Sequence, residues 1–270
     1  MLFVRTLRNL PATVPLVAFC AAAVLLIPIG NFPAGLTVWG LSALLTALQP
    51  HPRVRRNLGV LLVCILVLGF APIHTDLSTP HFITLGSIFL AVVLGPALFM
   101  RWRAPGEQTW GFWPRRFSWR DLIYTLVSIP LAWGVIEVYF FHLNPELPTH
   151  WLLPAVFDRT QVERLVAGIN CVGIWDELFF INTVYALLRT IFPARIANPA
   201  QAVVYTSVLY DMAFTGHGAW IVYLFALTQG VMYEKSRRLL YVLIVHLIVD
   251  AFLVMAIVQH YYPAHSLTLF

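Results

Sequence analysis

The sequence predicts an all-α fold, a polytopic transmembrane helix bundle of about eight or nine spans. Three observations predict it. Hydrophobic residues make up 60% of 270 positions and charged ones only 11%, where a soluble domain carries about 25%. Apolar runs recur along the whole chain, each near the roughly 20 residues that one crossing of the hydrocarbon takes, which leaves no length for a separate soluble domain. The basic residues crowd into alternate connections, the pattern expected of cytoplasmic loops. The chain therefore reads as a single integral membrane domain, residues 1–270, with the lipid bilayer as its solvent.

The elements follow in order. Arg5 and Arg8 precede a first span, Val14 to Gly30. Its outline resembles a signal peptide, but further spans follow, so a retained helix is expected. Asn31 to Gly35 is a turn by its Pro and Gly, and Leu36 to Leu48 returns as a short second span. His51 to Arg56 closes it with Arg53, Arg55 and Arg56. The third span, Leu58 to Ile73, leads to the acidic loop Thr75 to Pro80, and the fourth runs from Ile83 to Met100. Arg101 to Arg120 interleaves five arginines with Trp102, Trp110, Trp113 and Trp119. Stacking on nucleic acid is conceivable for such a segment, but an interfacial loop on lipid headgroups suits it better, so no nucleic-acid partner is expected.

Leu122 to Phe141 is the fifth span, and it contains Glu137. Val162 to Phe192 would be about 46 Å long as one helix, too long to stand upright, so it should tilt strongly or break at Gly168 or Gly173. Ala200 to Phe214, Trp220 to Tyr233 and Leu239 to Val258 complete nine crossings. Cys20, Cys64 and Cys171 lie in apolar stretches without metal-type spacing and read as small core residues. With the N-terminus inside, all seventeen Lys and Arg except Arg159 and Arg164 fall in cytoplasmic segments, and the C-terminus lies outside.

The chemistry concentrates in the second half. Asp176 and Glu177 are adjacent acids in an apolar run, and an intramembrane carboxylate costs several kcal/mol unless it is paired, wetted or coordinated. Asp211 to His217 and His246 to Asp250 repeat the combination of acid and imidazole. Counting inward at about 1.5 Å per residue puts Glu177, Asp211 and Asp250 roughly 18 Å, and His246 roughly 12 Å, from the cytoplasmic ends of their helices. Similar depth predicts convergence on one wet cavity. His246 and Asp250 share a helix face at a spacing of four, while Asp176 and Glu177 point about 100° apart. In such a site one carboxylate can serve as general base on a water. A carboxylate-lined proton- or cation-coupled transporter is the alternative, although no internal repeat is visible.

At these residues the chain resembles the CAAX protease and bacteriocin-processing family of intramembrane endopeptidases, also called the Abi family. That family carries EExxxR, FxxxH and HxxxN/D motifs on successive core helices. Asp176-Glu177-Leu178-Phe179-Phe180 is similar to the first motif, with Ile181 in place of its Arg and Asn182 beside it. His246-Leu247-Ile248-Val249-Asp250 matches the third. For the second, Phe214 falls where a motif begun at Tyr210 would have His, and His217 is the nearby imidazole. The resemblance covers about Val162 to Phe252, which divides the domain into N-terminal spans (1–160) and protease-like core helices (161–258).

The resemblance implies hydrolysis of a peptide bond in a membrane-associated peptide or protein, in the bacterial cytoplasmic membrane. Glu177 and Asp176 would activate water. His217, His246 and Asp250 would position it or stabilise the oxyanion, with Asp211 and Asn182 in support. A divalent cation such as Zn²⁺ and a metal-free mechanism both remain open. A catalytically inactive scaffold or immunity relative is a further alternative.

Overall fold

In a computed structural model the chain is described over residues 11–105, 119–145, 147–212 and 214–265. Arg5, Arg8, Trp110, Trp113, Arg115 and Arg116 lie outside those residues. Nine long helices and no strand occur among the described residues. They are α1 (Thr13–Leu26), α2 (Phe32–Ala47), α3 (Pro52–Gly69), α4 (Thr79–Arg103) and α5 (Trp119–Leu143), followed by α6 (Arg159–Arg189), α7 (Ala194–Asp211), α8 (Gly218–Ser236) and α9 (Leu239–Tyr261). Four of them, α4, α5, α6 and α9, are long and apolar enough to cross a bilayer. Large apolar side chains such as Val63, Ile83, Leu98, Ile123 and Leu126 point outward, as lipid-facing surface requires. The helices form one polytopic bundle.

Local chemistry places the helix ends near the expected positions. Gly30 adopts φ +62°, which reverses the chain, and the Asn31 side chain then accepts from the Ala34 amide at 3.2 Å to cap α2. Ser78 caps α4 by accepting from the His81 amide at 3.4 Å, and Asp158 caps α6 by accepting from the Thr160 amide at 2.8 Å. Helix α8 ends on Arg237 in the left-handed region, with its N–H bonded to the Tyr233 carbonyl at 2.7 Å. Beyond the spans, Glu234 accepts a two-pronged pair from Arg189, both contacts at 2.8 Å, and a third bond from the Tyr185 hydroxyl at 2.9 Å. This ties the C-terminal ends of α6 and α8 together.

Of the two expectations for α6, tilting or breaking, the break does not occur. The helix runs unbroken for 31 residues, and neither Gly168 nor Gly173 interrupts it. These glycines let neighbours approach instead: Gly168 lies against the Phe82 ring, and Gly173 against Asp250 and His246. The irregularity comes later, where residues Glu177–Tyr185 form a widened π-type stretch in which the Thr183 hydroxyl reaches back to the Leu178 carbonyl at 2.9 Å. The stretch is wedged by aromatic packing, with Phe179 and Phe180 fully buried beside Trp175. Among the cysteines, Cys64 is buried but Cys171 is exposed on α6, where it lines a cavity rather than a core.

Candidate active site

Helices α6 and α9 supply the centre. Trp175 anchors α6 by donating its indole N–H to the Phe89 carbonyl on α4 at 2.7 Å and stacking on the Phe89 ring, with centroids 3.7 Å apart. The next two residues are the acids. Asp176, Glu177, His246 and Asp250 are 1%, 0%, 5% and 4% exposed, so all four are withdrawn from bulk solvent. They meet around the His246 ring. Its Nδ1 lies 2.7 Å from Glu177 Oε1, while Nε2 lies 3.6 Å from Asp176 Oδ2 and 3.5 Å from Asp250 Oδ1.

The two sides of the ring differ in character. At 2.7 Å the Glu177 contact is a direct hydrogen bond in which Nδ1–H donates to the carboxylate. Gln229 Nε2 on α8 donates to the same oxygen at 3.2 Å and also to the Val242 carbonyl at 3.2 Å. The Tyr205 hydroxyl on α7 sits 3.0 Å from Nδ1 and 3.5 Å from Glu177 Oε1. On the other side, the contacts of 3.6 Å to Asp176 and 3.5 Å to Asp250 are longer than ordinary direct hydrogen bonds. Asp176 Oδ1, Asp250 Oδ2 and Glu177 Oε2 are buried and make no hydrogen bond among the described residues.

A cavity of about 1150 Å³ opens onto the Nε2 side. Asp176, His246 and Asp250 line it, whereas Glu177 is not among its lining residues. The rest of the wall is almost wholly apolar, with Phe89, Leu131 and Leu253 among its members. The geometry therefore separates the adjacent acids: one faces the cavity, and the other holds the far nitrogen of the imidazole.

Three residues singled out from the sequence lie apart from this cluster. Asp211 and His217 are both exposed, and among the described residues neither hydrogen-bonds nor pairs with the four. Helix α7 stops at Asp211, Gly216 turns the chain at φ +58°, and α8 begins at Gly218, so His217 sits exposed just before that helix instead of turning inward. Asn182 accepts from the Tyr233 hydroxyl at 3.1 Å, a contact between α6 and α8. Ile181 is fully buried. What α7 brings to the site is Tyr205, and Leu209, four residues on, lines the cavity.

Tyr205 and Gln229 escaped the sequence reading. A signal existed for Gln229, an uncharged amide directly before Gly230 inside an apolar helix. Gly230 is itself a close-approach position, where a side chain would strike the Asn198 amide on α7. For Tyr205 there was none, because tyrosine is common in buried helices.

The donor set can also be tested for a metal ion. Among the described residues, the His, Cys, Asp and Glu side chains whose ligand atoms all lie within 4.8 Å of one another are His74, Asp76 and His81, away from His246. The acids flanking Nε2 are thus more widely spread than three ligands of one ion, and the arrangement suits a bridging water better.

Fold and site together define a class: a polytopic helical membrane protein whose core helices enclose an acid–imidazole centre at the end of an apolar cavity. Residues 159–252, about a third of the chain, match the family described as Rce1-like, type II CAAX prenyl endopeptidase, so this segment is similar to the CAAX protease family, in line with the resemblance noted from the sequence. The match covers helices α6 to α8 and the first part of α9. No curated protein and no solved structure matches the chain.

Proposed function

We propose that the protein is an intramembrane endopeptidase that hydrolyses a peptide bond in a membrane-associated peptide or protein. The observation that carries this reading is the two-sided setting of His246, hydrogen-bonded to Glu177 at 2.7 Å on one nitrogen and flanked at 3.5 and 3.6 Å by Asp250 and Asp176 on the other, where the cavity ends. The family match at residues 159–252 supports the same reaction class.

In this reading Asp176 is the general base, because it is the member of the acid pair that lines the cavity. A water held by Asp176 on the Nε2 side of the ring loses a proton to Asp176, and its oxygen bonds to the carbonyl carbon of the scissile peptide. His246, protonated on both nitrogens among the surrounding carboxylates, donates Nε2–H to the oxygen that gains charge while Asp250 orients the ring, and Asp176 then passes the proton to the departing amide nitrogen as the C–N bond breaks. Water has added across the bond, leaving a carboxyl end and an amine end. Glu177, Tyr205 and Gln229 act through His246 by fixing its orientation. The apolar wall favours a substrate that enters from the lipid, and the crowding of Lys and Arg into alternate connections supports a cytoplasmic N-terminus.

The test is processing of a co-expressed membrane-anchored substrate in isolated membranes. Asp176→Asn should lower processing by about 10³-fold or more while the chain still inserts and melts normally, and Glu177→Gln should lower it less. Equal processing by Asp176→Asn and the unmodified chain rejects the assignment.

A further inference from the structure

A second cluster lies outside this site, in the loop between α3 and α4 and the first turn of α4. His74, Asp76 and His81 place one ligand atom each within 4.8 Å of one another, and all three line the cavity that ends at His246. The loop is held from outside the trio. The Thr75 hydroxyl donates to the His150 carbonyl at 2.6 Å, and Arg164 donates to the Leu77 carbonyl at 2.8 Å and to the Thr79 hydroxyl at 3.0 Å.

The informative contact is made by His81, whose Nε2 lies 3.1 Å from the His74 carbonyl oxygen. A carbonyl oxygen only accepts, so Nε2 carries the proton and Nδ1 keeps its lone pair. Imidazole ligands of metals are held in this way, with the second ring nitrogen donating to a backbone carbonyl that sets tautomer and orientation. His81 is also 8% exposed, a burial unusual for a histidine in a loop-proximal turn without a task.

We propose that His74, Asp76 and His81 bind one divalent transition-metal ion of the Zn²⁺ type. Two imidazoles and one carboxylate suit such an ion and not Mg²⁺ or Ca²⁺, which take oxygen ligands. Three protein ligands leave a position for water or for an anionic group of a molecule in the cavity. The His74 ring now stacks on His81, with centroids 4.0 Å apart and planes at 20°. Lone pairs lie in the ring planes, so two nearly parallel rings cannot both aim at one ion. His74, which is exposed, turns out of the stack when the ion binds. The site does not depend on the proteolytic reading.

The experiment uses the full chain in detergent, purified on a tag without histidines, stripped with chelator and titrated with Zn²⁺ by calorimetry and with Co²⁺ by visible absorption. One ion per chain is expected. His74→Asn, Asp76→Asn and His81→Asn should each weaken binding by about tenfold or more, and Co²⁺ should show the absorption of a low-coordinate site with imidazole ligands. His74→Asn changes an exposed side chain and leaves the fold intact, so it decides the matter if His81→Asn does not fold. Stoichiometric binding that survives His74→Asn together with Asp76→Asn overturns the proposal. So does retention of no more ion by the unmodified chain than by that double variant after gel filtration.

Discussion

Gly173 gives the sharpest test of how the centre is packed. It lies one helical turn before Asp176, at the crossing of α6 and α9. A Cβ added there would overlap Asp250 Oδ2 and would lie 3.0 Å from Asp250 Cγ and 3.1 Å from His246 Cδ2. Ordinary carbon contacts are about 3.5–4.0 Å, so a methyl group must drive the imidazole back by roughly 0.5–1 Å and the carboxylate oxygen by more than about 1 Å, or part the helices. Overpacking of this kind costs about 1–3 kcal/mol. Misplacing a reacting group by about 1 Å can cost about 10²-fold in rate. Gly173→Ala is therefore expected to insert and fold, to melt at a lower temperature in detergent, and to process substrate about 100-fold more slowly. Gly168→Ala is the control, since its Cβ would meet only the edge of the Phe82 ring, at 3.1 and 3.4 Å. It should keep most of the activity. If Gly173→Ala processes and melts like the unmodified chain, α6 and α9 do not cross as described and Asp250 does not belong to the centre.

Other outcomes follow from single contacts. Tyr205→Phe removes the hydroxyl 3.0 Å from His246 Nδ1 and should slow processing about tenfold, the equivalent of about 1.4 kcal/mol, with expression unchanged. Trp175→Phe keeps a ring on Phe89 but loses the buried bond to the Phe89 carbonyl, so the melting free energy should fall by about 1–2 kcal/mol in denaturant titration. Glu234, outside the spans, is held below the usual carboxylate range chiefly by its hydrogen bonds from Arg189. A depressed carboxylate contributes stability that is fully present above its unfolded value, near about pH 4, and is lost as pH falls through its lower folded value. Melting temperature followed from pH 7 downward should therefore drop below about pH 4, and Glu234→Gln should flatten that drop.

The helical architecture was readable because span length and hydropathy are set by the bilayer, and because turn and cap residues such as Gly30 and Asn31 mark boundaries, although Pro96, Pro130 and Pro199 lie inside helices. The third motif was readable for a similar reason: a spacing of four on a helix puts His246 and Asp250 on one face whatever the surroundings. Depth counting was not enough for Asp211. Helix α7 runs unbroken through Pro199 to that residue, so the count holds, but depth says nothing of facing, and Asp211 ends the helix with its side chain exposed. The roles of the acid pair were not readable either. A sequence shows that two carboxylates are adjacent, but which of them faces a cavity depends on how neighbouring helices cross. Tyr205 and Gln229 belong to the same category, since their significance lies wholly in what stands across from them.

The widened turn of α6 connects these points. In a regular helix, neighbouring side chains diverge by about 100°, so Asp176 and Glu177 would ordinarily serve different neighbours. Here both address one imidazole, through opposite nitrogens, and the widening begins at Glu177. A π-type turn inserts extra backbone and weakens local hydrogen bonding, so it persists only where packing holds it. Phe179 and Phe180, wedged against Trp175 and Tyr205, supply that packing. The aromatic run after the acids is thus part of how the site is shaped. Phe180→Ala should let the turn relax toward a regular helix and swing Glu177 away from His246. If Phe180→Ala lowers processing far more than it lowers melting stability, the turn positions the acids. If both fall in proportion, the aromatic residues serve the core alone.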